Sequence, residues 1–441
     1  MTAVERSPVA PVTAAGLPAL RRRTTAVLVV GQILGGLGVS TGLALGTVLA
    51  QRVSGTEALA GLAPTAAVAG TAVLSMPMAA LMSARGRRPG LVLGYLVGAL
   101  GAVVVVVAAR MGNFPLLLGG MAAFGGASSA NLQARFAAAD LAEPQRRARA
   151  ISLVVWATTV GAVLGPNIAA PAGRSVSGLG IPETAGPFLW AAGTFLISGV
   201  VVAVMLRPDP LLTARALAPE DERSAEARSL RAGLAAVAAS PHARLALVTV
   251  AVSHTAMVSV MSMTPVDLAR HGAGIDLIGL VISGHIAGMY AFSPLMGRLA
   301  DRVGRLSVTG LAAGLLACGM FLAGTAGENH GQTAAGLFVL GLGWSAGLVS
   351  GSALLTDAVP QAARAAAQGL SDLTMNTSAG LGGAVAGLVV AKAGYAWLNA
   401  AAACLLLPLA ALVLFTGARA RRVRPTGHGE AAPAHRCPRQ S

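Results

Sequence analysis

Long apolar stretches dominate this sequence and recur along nearly its whole length. Twelve of them approach or exceed 20 residues, about the length an α-helix needs to cross the roughly 30 Å core of a bilayer. Only 11% of the residues are charged and 55% are apolar, whereas a soluble domain carries about 25% charged residues. The sequence therefore predicts an all-α membrane protein with twelve transmembrane helices. The stretches cover residues 25–49, 57–82, 90–109, 114–138, 150–170, 187–206, 243–265, 276–297, 307–326, 332–356, 367–391 and 395–417.

The basic residues are distributed unevenly between the two sides of such a membrane domain. If both termini are cytoplasmic, 26 of the 32 basic residues fall on cytoplasmic segments and 5 on outer loops. Positive residues accumulate on the cytoplasmic side, so we expect cytoplasmic termini and several passes through the plasma membrane. The arginines form short clusters between apolar stretches, and aromatic residues make up only 4% of the chain. This pattern argues against a nucleic-acid partner.

A weak internal repeat divides the chain into two pseudo-symmetric six-helix bundles. The loop after the second stretch returns 218 positions later, after the eighth, and another correspondence has an offset of 217. Parallel halves of this kind are related by an axis along the membrane normal, and a transport site is expected at their interface. The predicted segments are an N-terminal tail (1–23), a first half (24–206), a solvated cytoplasmic linker (207–241), a second half (242–417) and a basic tail (418–441). At the offset of 218, Ala79, Ser83, Gly86 and Arg87 match Gly297, Asp301, Gly304 and Arg305, respectively. At the offset of 217, Asp140, Arg147 and Gly165 match Asp357, Arg364 and Gly382, respectively.

The second copy of the repeated loop resembles the loop signature of the major facilitator superfamily, and the likeness extends over almost the whole chain. It implies the major facilitator fold, with two halves that rock about a central site. It also implies that Asp301 closes the cytoplasmic side by contacting the start of the fifth helix, where an acid contributes about 0.3–1 kcal/mol. The alternative is a solvated loop charge. The gating residues are Gly297, Asp301, Arg302, Gly304 and Arg305, with Gly86 and Arg87 in the first loop.

The fifth helix carries Gly161, Gly165 and Pro166, which are similar to an element of that family's drug-exporting antiporters. This resemblance implies proton-coupled efflux of small lipophilic or cationic compounds by a monomer without a cofactor. Two positions depart from the family pattern. Ser83 replaces the acid of the first loop, and no buried arginine is expected in the fourth helix near Met121.

Three ionisable residues fall inside predicted helices and are candidates for carrying the coupled proton. They are His254, His285 and Asp372. Ionisable groups inside a membrane are costly and are functional candidates for that reason, and histidine titrates near neutral pH. The alternatives are a neutral histidine bonded to a neighbouring carbonyl or hydroxyl, and a helix-start charge for Asp372.

Several polar, aromatic and sulfur-containing residues are candidates for lining the substrate cavity. Met257 and Met261 share a helix face with His254, and thioethers beside imidazole can bind a soft metal. Methionine at helical spacing more often serves as adaptable packing, so no metal site is predicted and metal or metal-chelate transport remains an alternative. The candidates are Gln32, Asn131, Trp156, Met257, Met261, Met289 and Asn376.

Other readings concern the cargo or the class of protein. A transporter of the same fold could carry a sugar, an amino acid or an endogenous metabolite. The stretch around Ser345 matches the nucleophile-elbow pattern, but that pattern requires a strand–turn–helix context, so the chain is not expected to be an enzyme. A non-transporting receptor is disfavoured because no extramembrane ligand-binding domain is visible.

Overall fold

The computed structural model describes residues 16–56, 59, 61–217 and 230–413. Within these ranges the chain is almost entirely helical and contains no strand. The α-helices are α1 (Leu17–Ser54), α2 (Leu62–Arg85), α3 (Arg87–Met111), α4 (Phe114–Asp140), α5 (Arg147–Ser175), α6 (Gly186–Met205), α7 (Pro210–Ala216), α8 (Leu230–Ala239), α9 (Pro241–Arg270), α10 (Ile275–Tyr290), α11 (Ser293–Val303), α12 (Arg305–Gly324), α13 (His330–Ala358), α14 (Arg364–Ala393) and α15 (Tyr395–Cys404).

The prediction of a twelve-helix fold is confirmed. The crossings are α1 to α6, α9, α10 with α11, and α12 to α15, and residues 406–413 continue α15. The eighth crossing is interrupted before Ser293, where Pro294 stands in the first turn of α11 and its ring cannot donate a backbone hydrogen bond. Eleven spans among the described residues are long and apolar enough to cross a membrane.

The remaining crossing, α4, is long enough but less apolar because glycine, serine, asparagine, glutamine and arginine interrupt its sequence. Most of α4 is buried, since α2 and α3 pack closely along it. A Cβ atom on Gly70, Gly98 or Gly101 would collide with the α4 backbone. Small residues allow helices in lipid to approach this closely, so α4 is covered by protein.

Each half has its own buried apolar cluster, and a third cluster lies on the seam between them. Phe124, Phe188 and Phe195 form edge-to-face pairs in the first half. The seam cluster combines residues of α4 and α5 with residues of α9 to α14. The helices that pack most extensively across the seam are α2 against α14 and α5 against α11.

The segment predicted as a solvated linker is partly packed against the bundle. Its described residues form α7 and α8, and Leu211, Thr213 and Arg215 of α7 are buried. Asp209 caps α7 by accepting hydrogen bonds from the backbone N–H groups of Leu211 and Leu212. Residues 218–229, the centre of that segment, lie outside the described residues.

Candidate functional site

The two copies of the repeated loop lie at one end of the bundle, which we call the basic end. The chain passes from α2 to α3 at Gly86 and from α11 to α12 at Gly304, with φ angles of +93° and +94°. Residues with a side chain rarely adopt such angles. Glycine therefore permits the same sharp turn in both halves.

At the basic end, Asp301 of α11 contacts the start of α5 in the other half. Its carboxylate accepts hydrogen bonds from the backbone N–H groups of Arg149 (2.9 Å) and Ala148 (3.3 Å) and pairs with Arg305 at 3.0 Å. Gly297, one turn earlier, packs against Ser152 and Ala148 so closely that a side chain would not fit. The contact expected for Asp301 is present.

A second acid, Asp357 at the end of α13, joins the same contact. Arg147 approaches it to 2.5 Å from the first half and Arg305 to 3.0 Å from the second. Arg305 also donates a hydrogen bond to the carbonyl oxygen of Pro144. Arg302 is exposed in the last turn of α11.

Behind this surface layer, Arg87 is fully buried at the start of α3. It makes a two-point ion pair with Asp140 at 2.7 and 3.2 Å, and both side chains are 0% exposed. It also donates to Gln133 (3.1 Å) on α4 and to Gln368 on α14, in the other half. Arg87 thus links the first loop to both halves of the molecule.

Deeper in the seam, Asp372 of α14 pairs with Arg135 of α4 across the two halves. Asp372 Oδ1 lies 2.6 Å from the Arg135 guanidinium, and Oδ2 accepts a 2.8 Å hydrogen bond from Gln133. Arg135 is 2% exposed and Asp372 is 0% exposed. Gln133 also bonds to Arg87, so two arginines and two aspartates form one connected network whose formal charges balance.

Arg135 corrects one sequence-based expectation. We expected no buried arginine in the fourth helix near Met121, but α4 carries a buried arginine closer to the basic end. Its burial depends on Asp372, which is 237 positions away in the sequence. The available signal was a single arginine and a single aspartate, each inside an apolar helix of a different half; such charges are usually paired.

The inter-half hydrogen bonds and ion pairs between described residues all lie toward the basic end. The opposite part of the seam holds none within residues 16–56, 61–217 and 230–413. The polar contacts between the two halves are therefore concentrated at the basic end. The pairs across the seam are Arg87–Gln368, Gln133–Asp372, Arg135–Asp372, Arg135–Ser352, Pro144–Arg305, Arg147–Asp357, Ala148–Asp301, Arg149–Asp301 and Ser152–Ser293.

Two amide residues lie just beyond the Arg135–Asp372 pair. Asn131 stands one turn before Arg135 on α4 and Asn376 one turn after Asp372 on α14, so both continue the faces that meet at the pair. Asn131 accepts a 2.9 Å hydrogen bond from Tyr95, and Asn376 donates to the Asp372 carbonyl at 2.8 Å.

Three aromatic rings of the second half pack together on α9, α10 and α13. The Trp344 indole N–H donates to His254 Nδ1 at 2.8 Å, so a neutral His254 carries its proton on Nε2. The Tyr290 ring meets Trp344 edge-on, with the ring centroids 5.4 Å apart. We call the region of the seam that holds Asn131, Asn376, His254, Tyr290 and Trp344 the chamber.

The methionine candidates belong to the seam cluster that forms the chamber's apolar wall. Met257 and Met289 are buried there and Met261 is partly buried, together with Trp344 and Met375. Within the part of the chain that the structure describes, no three His, Cys, Asp or Glu side chains group as metal ligands would. The place of Met257, Met261 and Met289 in a substrate site stays a prediction.

Gln32 lies on α1 and contacts α5. Its Nε2 donates to the Thr158 hydroxyl at 2.9 Å, and its buried Oε1 has no hydrogen-bond partner among the described residues. Gln32 therefore sits at the α1–α5 contact with one acceptor unused.

Two sequence candidates lie away from the chamber residues. His285 is fully buried between α10 and α13, with Nδ1 2.7 Å from the Leu337 carbonyl oxygen. This matches the alternative of a neutral histidine bonded to a carbonyl. Trp156 is 37% exposed and shares the face of α5 that carries Arg149 and Leu153. Its neighbour Val155 packs in the seam cluster instead.

The antiporter-like element brings α5 against α1. A Cβ atom at Gly161 would meet the backbone of Gly36 and Leu37, and one at Gly165 would meet Ser40. The side chain of Pro166 lies outside the described part of the structure. Ser345 lies inside α13, so its sequence pattern has no strand–turn–helix context.

The linker meets the degraded first loop, where Ser83 stands in place of the acid. Asp209 accepts a 2.7 Å hydrogen bond from the backbone N–H of Arg88, beside Gly86. Arg215 donates to the carbonyl oxygen of Ser83 at 2.7 Å and approaches that of Ala362, before α14, at 3.5 Å. The linker therefore bridges the two halves at the position corresponding to Asp301.

Comparison with known proteins gives a family and several relatives. The model of the Major Facilitator Superfamily matches residues 28–270 and 245–438. The chain is 37% identical over 405 residues to the uncharacterized MFS-type transporter YdeG of Bacillus subtilis (strain 168), covering 91% of this chain and 93% of that protein. It is 30% identical over 394 residues to the riboflavin transporter RfnT of Brucella anthropi, covering 89% and 94%.

Among solved structures, the fold is similar to the MFS transporter FucP in its outward conformation. The TM-score is 0.69 at 17% sequence identity, and the match covers 89% of this chain and 98% of the FucP chain. At this identity the similarity concerns the fold alone.

Proposed function

This chain belongs to the major facilitator superfamily, and we propose that it is a proton-coupled exporter of uncharged, flat aromatic small molecules. It would work by alternating access between two rocking halves. The proposal has three parts: a gate at the basic end, a proton site at Asp372 and a substrate site in the chamber. The basic end faces the cytoplasm in this proposal, because its arginines favour that side of the plasma membrane.

The gate consists of the contacts that join the halves at the basic end. Asp301 on the start of α5 and Asp357 between Arg147 and Arg305 would have to release before that end opens. Their position at the basic end supports a protein closed toward the cytoplasm. Individual contacts of this kind contribute about 1 kcal/mol, which allows the gate to open during transport.

The observation that carries the proton coupling is the buried pair between Asp372 and Arg135. Opening the basic end would withdraw Asp372 from Arg135 and Gln133, the groups that compensate its charge. A buried carboxylate without its partners is costly, about 3–5 kcal/mol for a broken buried pair. Protonation of Asp372 removes that cost, so proton binding and opening favour each other.

His254 is better suited to bind substrate than to carry the proton. Its Nδ1 accepts the Trp344 indole hydrogen bond, and protonation at Nδ1 would break that bond. The neutral ring still has an N–H at Nε2, which can donate to an acceptor on the cargo.

The chamber chemistry supports an uncharged aromatic cargo over a cation. Both carboxylate oxygens of Asp372 are already bonded, while His254, Tyr290 and Trp344 offer rings for stacking. The seam methionines provide an adaptable apolar wall. The relative named a riboflavin transporter carries a compound of this type, since riboflavin has a flat, uncharged heteroaromatic ring.

The export direction rests on the likeness of Gly161, Gly165 and Pro166 to the exporter element. Uptake of a sugar or another metabolite by the same fold is the alternative. Transport by inside-out and right-side-out vesicles would separate the two directions.

The test is flux into proteoliposomes with an imposed pH gradient, using riboflavin, ethidium and xylose as probes. We expect gradient-driven movement of riboflavin at least tenfold above that of ethidium or xylose. The Asp372→Asn variant should lose at least tenfold of the gradient-driven flux but keep riboflavin exchange without a gradient, because Asn preserves the shape and removes the titrating group.

His285→Asn is the matched control, since Asn can still donate to the Leu337 carbonyl and should retain gradient-driven flux. Gradient-driven transport by Asp372→Asn at the parental rate would reject Asp372 as the proton site. Preferential transport of ethidium or xylose would reject the proposed cargo class and leave the gate and proton site standing.

A further inference from the structure

A lateral groove of about 550 Å³ lies at the basic end, outside the seam between the halves. Its lining residues come from the start of α1, the α4–α5 connection and the first turns of α5, all in the first half. It is therefore separate from the chamber, and it adjoins the gate at Arg149, whose backbone N–H binds Asp301.

The rim of this groove is strongly basic. Four arginines line it, Arg21, Arg22, Arg146 and Arg149, against the single acid Glu143. Glu143 is shared by Arg21 at 2.6 Å and Arg146 at 3.6 Å. The side chains of Arg22 and Arg149 are exposed, so the rim has guanidinium groups available to an anion, and guanidinium is well matched to phosphate.

Below the rim the groove is apolar. Ala26 and Val29 on α1 face Ala150 and Leu153 on α5. The eight residues from Arg22 to Val29 extend about 10 Å along the helix. The neighbouring Val30 is 45% exposed, as expected for a surface that meets the hydrocarbon of the membrane.

We propose that this groove binds one anionic phospholipid of the cytoplasmic leaflet. The phosphate lies among the rim arginines, and the first part of an acyl chain follows the apolar channel between α1 and α5. Basic residues beside an apolar inter-helix surface at the cytoplasmic leaflet have the chemistry that recognises such headgroups. Lipid binding itself rests on the proposed function only for the orientation, and its effect on the gate rests also on the proposed role of Asp301.

The bound lipid would tie three elements together. Arg21 on α1 already holds the α4–α5 connection by donating to the Leu141 carbonyl at 2.7 Å. Arg149 belongs to the turn of α5 whose backbone Asp301 caps. A phosphate between these arginines therefore steadies the helix start on which the gate closes.

The experiment is native mass spectrometry of the full-length protein with phosphatidylglycerol or phosphatidylcholine at matched concentrations. We expect one phosphatidylglycerol to persist under activation that removes phosphatidylcholine. Retention should fall at least fivefold in Arg22→Gln/Arg149→Gln, which loses rim charge. It should fall as far in Ala26→Phe/Ala150→Phe, which fills the channel and keeps all four arginines.

Arg85→Gln/Arg231→Gln is the control, because it removes the same charge from exposed positions outside the groove. It should keep the phosphatidylglycerol adduct. The proposal is overturned if Arg22→Gln/Arg149→Gln and the control Arg85→Gln/Arg231→Gln lose the adduct equally. It is also overturned if neither Arg22→Gln/Arg149→Gln nor Ala26→Phe/Ala150→Phe loses the adduct, or if phosphatidylcholine is retained as well as phosphatidylglycerol. Thermal unfolding in phosphatidylcholine nanodiscs checks that each variant is folded.

Discussion

Asp301 shows how one side chain can join two halves of a membrane protein. Its carboxylate accepts two backbone N–H groups at the start of α5, where the helix dipole favours negative charge by about 0.3–2 kcal/mol. Asp301→Asn keeps an acceptor but loses the charge, and Asp301→Ala loses both. We therefore expect the population open at the basic end to rise about two- to thirty-fold, more for Ala than for Asn.

The measurement is the distance distribution between spin labels at Arg85→Cys and Arg298→Cys, two exposed positions on opposite halves. The fraction of molecules with a longer distance between the two labels should rise in both Asp301 variants. Asp267→Asn is the control, because Asp267 pairs with His271 in its own helix. Unchanged distributions in Asp301→Ala would remove Asp301 from the gate.

At the residue scale, the sequence predicted interactions that follow a local pattern. The contact of Asp301 with α5 could be inferred from a loop signature. The role of Arg135 could not, because one arginine near a helix end resembles an interfacial charge. Only the packing of α4 against α14 places Arg135 beside Asp372. The proton and substrate roles of His254, Asp372 and the chamber residues stay predictions.

Helix packing makes a prediction at the α1–α5 contact. Gly161→Ala would place a methyl group against the backbone of Gly36, and overpacking of this kind costs about 1–3 kcal/mol. We expect a lower melting temperature in detergent and slower transport. Gly193→Ala adds a methyl on α6 with nothing within 4 Å and should match the parent. Equal melting temperatures for the two variants would contradict close α1–α5 packing.

The linker helix α7 makes a second prediction at this scale. Arg215 joins the first loop to the segment before α14, at the place where Ser83 lacks the acid of the second loop. Arg215→Gln should raise the open population at the basic end about tenfold, since a charged hydrogen bond contributes roughly 1.5 kcal/mol. Arg207→Gln is the control, because Arg207 bonds to Ala203 in its own half. The spin-label pair at positions 85 and 298 measures the open population in both variants.

The packing of α7 was missed because the segment is rich in charge and proline. A local signal was present, since an aspartate followed directly by proline is a favourable helix start. Asp209 and Pro210 form that start. The contact of Arg215 with Ser83, which lies 132 residues earlier, cannot be read from any local pattern.

For the molecule as a whole, alternating access requires the basic end to open and close. A Cβ atom at Gly369 on α14 would lie 2.2 Å from that of Ala79 on α2, whereas the Cβ atoms of a disulfide lie about 3.5–4.5 Å apart. The two helices therefore have to move apart by about 1.5 Å before cysteines at both positions can form a disulfide. In a background without the three native cysteines, oxidation of Ala79→Cys/Gly369→Cys should stop transport, and reductant should restore it. The single variants control for oxidation. Full transport by the cross-linked protein would show that this end stays closed throughout the cycle.

At this scale the sequence was most informative about the number of crossings and the duplication. Apolar length predicts helices because lipid requires every backbone group to be bonded internally, and the repeat predicts two halves. The end at which the halves meet could not be predicted, because the same sequence must fit both states of the cycle. That end follows from the position of pairs such as Arg87–Gln368 and Arg135–Asp372.

The modest hydropathy of α4 has a consequence for biogenesis. A buried arginine costs about 2.5–3.5 kcal/mol when a segment leaves the translocon alone, and α4 also carries Asn131 and Gln133. Its two packing partners, α2 and α3, are synthesised before it. Nascent α4 can therefore pack against α2 and α3 as it enters the membrane. Ribosome-bound chains that end soon after α4 should already hold α4 in the membrane. Chains that lack α2 and α3 should fail to insert α4.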